Sequence, residues 1–206
     1  MPLAFADGGP VAQTKKTEVR EAILKSAYRL FKRKGYVATT TAQVAAGAHI
    51  AEANLYNYFD SKFDILSHLF EPWLRARIAR LEGAVARVPE PRARLRRLLE
   101  ALWRDLPRED NGFTNNLMQA LSTLGRPDRY RPELLAWVEA RIEAMIKDAV
   151  PPARYRKLAA SGFAHVLMMA YDGFVMQAHL APERVCPDAT IEAMCDLILG
   201  KDGARP

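Results

Sequence analysis

The chain has 206 residues, half of them hydrophobic, with a formal charge of +6 and a pI near 9.4. That length allows one mid-sized domain or a small domain fused to a larger one with a sizeable core, and the positive charge suits a polyanionic partner. Only two cysteines occur, Cys186 and Cys195, with no CxxC and no histidine cluster at metal spacing, so a disulfide framework, a metal site and a cofactor are not expected, and reduced thiols in a cytoplasmic protein are the default.

No window alternates with period two, and Pro and Gly punctuate helical stretches. The fold is predicted to be all-α, with about nine helices. Residues 1–14 contain Gly8-Gly9-Pro10 and lack the basic and apolar regions of a secretory signal; they read as a mobile arm. A first helix is predicted from about Lys15 to Lys34, ending at Gly35, a C-cap residue type. Lys15 and Lys16, with Arg20, are candidates to follow a nucleic-acid backbone or minor groove. Lys32-Arg33-Lys34 either complements the helix dipole or meets DNA directly.

Thr40 followed by Gln43 has capping-box spacing, so a short helix is predicted from about Thr41. Val44, Ala45 and Ala48 share one face, and Ala45 is small enough for a close helix crossing. Ile50, Leu55 and Phe59 begin a second apolar set, with Leu55 and Phe59 on one inward face. Between them Asn54, Tyr56, Asn57 and Tyr58 cannot all be buried. Asn pairs well with adenine, and Asn and Tyr donate to phosphates. The motif at 40–59 is therefore a helix-turn-helix whose second helix can enter the major groove. Ser61 opens the next helix, and Lys62 in its first turn is suited to clamp a phosphate.

These residues, with Ile23-Leu-Lys-Ser-Ala-Tyr-Arg-Leu-Phe-Lys-Arg-Lys-Gly-Tyr36 and Ala38-Thr-Thr40 before them, resemble the DNA-binding domain of TetR-family transcriptional regulators over roughly residues 17–77. The resemblance implies that Thr40 touches phosphate, that Asn54, Tyr56, Asn57 and Tyr58 meet DNA, and that Lys62 binds phosphate. With Thr41 and Glu52 beside them, and Lys15 and Lys16, these are the candidate DNA contacts. Three positions depart from the family pattern. His49 stands where the turn glycine is usual, at a position that favours positive φ. Ala51 replaces the usual Ser or Thr cap. Glu52 replaces a common basic residue; it either accepts from a cytosine N4 or turns away from DNA.

The next helix is predicted from Ser61 to about Arg87, bent at Pro72. After a break at Val88-Pro-Glu-Pro91, helices are expected near 91–106, 111–124, 131–150, 151–180 and 188–199, the last ending at Gly200. Arg92, Arg94, Arg96 and Arg97 read as a solvated helix face. Residues 163–181 are the most apolar stretch, but Asp172, Gln177 and two histidines interrupt it, so a membrane span is disfavoured. The domain plan is an arm (1–14), a three-helix DNA-binding domain (15–77) and a helical effector-binding and dimerisation domain (78–206).

Apolar residues recur at helical spacing at Phe163, Val166, Leu167, Ala170, Phe174 and Ala178, and at Ile191, Met194, Leu197 and Ile198. The resemblance implies that such helices from two subunits form a four-helix homodimer interface; the spacing alone equally allows intramolecular core. Candidate effector-pocket residues are Trp103, Phe113, Met118, Trp137, His165, Met168, Met169 and Asp172, apolar with a few polar groups. The expected protein is a DNA-binding regulator of palindromic operators, a repressor by family expectation, released by a small and mostly hydrophobic effector. The rivals are an architectural DNA binder without sequence preference and an all-helical enzyme. No nucleophile elbow, phosphate loop or paired-carboxylate site supports the enzyme.

Overall fold

The computed structural model describes residues 10–110, 112–123 and 132–200, and the regular structure among them is entirely helical. The helices are α1 (Pro10–Lys34), α2 (Thr41–Gly47), α3 (Glu52–Leu55), α4 (Lys62–Ala86), α5 (Pro91–Glu100), α6 (Leu106–Glu109), α7 (Phe113–Thr123), α8 (Glu133–Lys147), α9 (Pro152–Ala160), α10 (Phe163–Leu180) and α11 (Asp188–Leu199), with a π-helical turn at Ala101–Asp105. They group into two compact units. The first holds the described residues up to Phe70 together with Asn116–Thr123; the second holds Glu71–Asn115 and the described residues from 132 onward. The first unit thus ends at Phe70, within α4, and the end of α7 groups with it.

In the first unit, α1 begins at Pro10, ahead of the expected Lys15. Proline suits the first helical position, because its φ is preset and its missing N–H would have been unpaired there. Residues 10–14 of the predicted arm are thus helical, and its first nine lie outside the described residues. Ile23, Ala27 and Phe31 run down the buried face of α1 against Val44, Ala45, Leu55, Phe59, Ile65 and Leu66. The crossing of α1 and α2 is tight: a Cβ on Gly47 would lie 2.2 Å from the buried Ser26 Oγ. Gly35 ends α1 at φ 81° and donates its N–H to the Phe31 carbonyl. Ala120 of α7 is sealed in this same core, and the Gln119 side-chain oxygen accepts from the Val37 N–H at 3.2 Å.

The capping box is formed as expected. Thr40 Oγ1 accepts from the Gln43 N–H, and Gln43 Oε1 accepts from the Thr40 N–H, both at 3.2 Å. The turn after α2 is a Schellman motif, with Ile50 N–H on the Ala45 carbonyl and His49 N–H on the Ala46 carbonyl. His49 occupies its left-handed position at φ 57°. A side chain there costs about 1–2 kcal/mol, partly offset by the extra unfolded-chain freedom of glycine. His49→Gly should therefore raise stability by about 0.5 kcal/mol. A thermal melt reads this, and an unchanged or lower Tm refutes it.

In the second unit, Leu74, Ile78, Leu81 and Val85 of α4 face inward, and Pro72 inside the helix leaves the His68 carbonyl without its helical N–H. α10 packs against the π-helical turn, α6, α8 and α9, while α11 lies on α5 and α9. The predicted helix at 91–106 runs on to Glu109 through the π-helical turn. Pro107 has no N–H for the Trp103 carbonyl, and the Leu106 N–H reaches back to the Ala101 carbonyl. The predicted helix at 151–180 is two helices meeting at 67°. Gly162 between them adopts the left-handed conformation, φ 66°, which stops α9.

Arg92, Arg94, Arg96 and Arg97 do not form the solvated face expected of them. Arg92 bridges Glu192 and Asp196, Arg96 reaches Glu100, Asp188 and Glu192, and Arg97 pairs with Asp105. Arg94 donates to the Val88 and Asp148 carbonyls. Arg92 and Arg96 therefore clamp α5 to acidic α11. The carboxylates hold the Arg92 guanidinium above its ordinary pKa, and Arg92 in turn holds Glu192 below its own. No single helix among the described residues is long and apolar enough to cross a membrane.

Candidate nucleic-acid interface

The second helix of the motif is short. α3 ends at Leu55, and Tyr56–Tyr58 continue it as a tight turn, with Tyr58 N–H and Phe59 N–H both on the Leu55 carbonyl. Leu55 is fully buried and Phe59 nearly so. The Arg20 guanidinium lies 5.0 Å over the Phe59 ring, and His68 meets that ring edge-on at 5.3 Å. These anchors leave Glu52, Asn54, Tyr56 and Asn57 exposed, Tyr56 with 53 % of its surface in solvent. Among the described residues, the Asn54, Tyr56 and Asn57 side chains hold no hydrogen bond, so their donors and acceptors are available. Lys15 and Lys16 are exposed along α1. Thr40 is exposed too, and among the described residues its hydroxyl proton has no acceptor.

Three of the sequence-based candidates are placed otherwise. Tyr58 is half-buried and packs against the core of this unit. Lys62 does not reach outward. Its ammonium donates to the Tyr36 and Thr39 carbonyls at 2.9 and 2.8 Å and sits 4.1 Å over the Tyr36 ring. Burial lowers its pKa. It staples the loop after α1 to the start of α4, a role invisible in sequence because the carbonyls are 26 and 23 residues away. Thr41 donates its only hydroxyl proton to Glu52 Oε1 at 2.5 Å, so it cannot also donate to a phosphate. Ala51 makes no side-chain cap, as expected. Sequence reasoning missed Gln43 as a joint: its Oε1 also accepts from the Lys34 ammonium.

In the second unit most residues of the predicted apolar stripes are buried or half-buried within the single chain. Leu167, Ile191 and Ile198 are buried, while Phe163, Ala170, Phe174, Ala178 and Met194 are half-buried. Phe174 stacks on Trp103 at 5.4 Å. The exposed apolar face of α10 is instead Val166, Met169, Met176 and Leu180, spaced around exposed Gly173, with Leu197 exposed on α11. Of the predicted interface residues, Val166 and Leu197 are exposed, at 53 % and 50 % of their surface.

The predicted pocket residues lie in differing surroundings. Trp103, Phe113 and Met168 are core, and the Trp103 indole N–H donates to the Leu167 carbonyl at 3.5 Å. Trp137 is half-buried under the Arg75 and Arg141 guanidinium groups. Met118 belongs to the first unit. Met169 and His165 are exposed, and His165 pairs with Glu139 at 2.6 Å. A narrow apolar gap, too tight to hold a water molecule, is lined by Leu74, Ile78, Leu102, Leu106, Met168 and Tyr171. Beside it lies a buried polar chain that sequence reasoning missed. Thr114 donates its N–H and hydroxyl to Asp110, at 3.0 and 2.6 Å to Oδ1, and its hydroxyl oxygen is 3.2 Å from Tyr171 OH. With the threonine proton committed to Asp110, Tyr171 is the donor to Thr114. Burial raises the pKa of both Asp110 and Tyr171.

Burial, with the Asp110 charge adding to it, lifts the Asp172 carboxyl from 3.8 to about 6. The folded chain then holds this proton more tightly than the unfolded chain, so stability falls as pH rises from 3.8 to about 6 and stays lower above that window. Asp172→Asn should flatten this fall and give a higher Tm than the parent at neutral pH. Melts across the window check it, and an equal or lower Tm at neutral pH refutes it.

The family model described as "Bacterial regulatory proteins, tetR family" matches residues 23–69. No curated protein matches the chain. Among solved structures, the TetR-family regulator PfmR from Thermus thermophilus is 25% identical with a TM-score of 0.54, covering 86% of this chain and 97% of that one. The Thermus thermophilus repressor FadR, in complex with lauroyl-CoA, is 21% identical with a TM-score of 0.57, covering 91% and 96%. A protein from Saccharomonospora viridis in complex with choline is 22% identical with a TM-score of 0.58, covering 90% and 97%. Residues 23–69 thus carry a domain of the TetR regulatory family, and over most of its length the chain shares the fold of these regulators.

Proposed function

We propose that the protein is a ligand-responsive repressor that binds a palindromic operator as a two-fold homodimer. The observation that carries this reading is the exposed, unbonded face of Asn54, Tyr56 and Asn57, held out by the buried Leu55 and Phe59 within a TetR-family domain. Thr40, Lys15 and Lys16 supply contacts to the sugar–phosphate backbone. Val166, Met169, Met176 and Leu180 of α10, with Leu197 of α11, form the dimer surface, which a second copy would cover. The two-fold axis sets two reading helices about one helical turn apart on DNA, which is why the operator is a palindrome.

The effector is small and mostly apolar, and the second unit receives it. The gap is lined by aliphatic side chains with Met168 and the Tyr171 ring, and the Tyr171 hydroxyl is turned to the buried Thr114. It is closed in this structure, with no room even for a water molecule, whereas an ordinary ligand pocket measures roughly 300–1,000 Å³. The effector therefore selects a widened conformation, and it releases DNA only to the extent that it binds that conformation better. α4 and α7 each contribute residues to both units and are the route for that coupling. FadR holding lauroyl-CoA and the choline-bound relative show that proteins of this fold accommodate quite different ligands. The protein acts by binding, not turnover.

The test is selection of bound fragments from the source genome, followed by binding to one half-site and to the full palindrome. The expected result is an enriched inverted repeat bound far more tightly than its half. Enrichment without a shared sequence, or equal affinity for half and whole, refutes the reading.

A further inference from the structure

We propose that Glu52 is a base-reading residue that selects a C·G pair in each half-site, and that Thr41 positions it. The inference rests on the assignment of α3 as the reading helix. Glu52 opens that helix, is exposed, and stands one turn before the exposed Tyr56 on the same face. Its Oε1 accepts the Thr41 hydroxyl proton at 2.5 Å, which ties the carboxylate to α2 and leaves Oε2 open. No Lys, Arg or His forms an ion pair with Glu52 among the described residues.

An uncompensated acid on a DNA-facing surface opposes binding to every sequence alike. It becomes favourable only where it meets a donor, and an ionised carboxylate only accepts. In the major groove the base donors are the cytosine N4 and adenine N6 amines. The adenine amine lies between two acceptors, its own N7 and the thymine O4, which both repel a carboxylate. The cytosine amine has an acceptor on one side only, the guanine O6. Cytosine is therefore the base that an oriented glutamate favours. Thr41 matters because it restricts the glutamate rotamers, and with its proton committed it has none for phosphate. It is a positioning residue.

The competing role is purely structural: the Thr41–Glu52 bond merely ties α2 to an α3 that lacks a side-chain cap. Glu52→Gln separates the two roles. Its amide oxygen still accepts from Thr41, so a staple survives, but its NH₂ now offers donors to the base.

The experiment is selection from randomised duplexes with the full-length parent, Glu52→Gln and Thr41→Val, with a thermal melt of each. The parent should select C·G at one position per half-site. Glu52→Gln should keep the rest of the consensus and lose about tenfold in preference at that position. Thr41→Val should keep the same ranking with weaker discrimination. Changing that C·G to T·A should weaken the parent about tenfold, a readout that needs no altered protein. A parent consensus without C·G, or an identical preference in Glu52→Gln, overturns the proposal. A parent that selects no sequence at all overturns instead the regulator reading beneath it.

Discussion

Met169→Glu combined with Met176→Glu is expected to give a folded monomer whose operator affinity is lower by about two orders of magnitude or more. Both methionines are exposed in the single chain, at 44 % and 37 % of their surface, so their replacement costs the subunit fold little. In the proposed dimer both positions lie within the contact between subunits. Four carboxylates would then be forced into an apolar contact, where unpaired charge is strongly disfavoured. The loss on DNA follows from valency: two linked reading heads gain roughly 10²–10⁴ over one. Sedimentation velocity and fluorescence anisotropy on the selected operator measure the two effects. A dimer that persists with full affinity would show that the subunits meet elsewhere. Leu167→Glu is the contrast. Leu167 is buried, so this change should unfold the second unit instead of dissociating intact subunits.

Phe59→Ala should destabilise the first unit by about 3–5 kcal/mol. Phe59 closes the core beneath α3, and its ring also supports the Arg20 guanidinium and the His68 edge. Its loss leaves a cavity under a helix too short to hold itself. Total stabilities are about 5–15 kcal/mol, so the unit would be marginal. Denaturant melts should show an early transition in this unit, with operator binding lost alongside it. A loss below about 1 kcal/mol would mean that α3 is anchored chiefly by Leu55 and the turn around His49.

What could be read from the residues alone was local. The capping box at Thr40 needs only a three-residue spacing, and it formed. The left-handed position after α2 was visible as a place for glycine, and His49 does adopt positive φ. The last helix stops at Gly200 as expected, because a left-handed residue ends a helix wherever the rest of the chain lies. Gly162 carries the same signal, but the apolar pattern continues past it and hides the break. The helix-turn-helix could be recognised because its contacts span few residues and its exposed face is rich in amides and phenols.

The rest depended on groups far apart in sequence. Lys62 resembles a phosphate-binding lysine until the fold brings two carbonyls to its ammonium. The arginines of α5 look solvated until α11, about a hundred residues on, presents its carboxylates. The register of α10 was decided in the same way. A helix with apolar residues on more than one side has no preferred face of its own; which side is buried depends on the neighbours that cover it, here the π-helical turn, α6, α8 and α9. The amino-acid order was thus sufficient for the helices, their caps and the reading motif, because those rest on interactions within a turn or two. Only the tertiary structure chose between core and surface, and between a bound and a free charge, because burial and ion pairing are properties of what the fold places alongside.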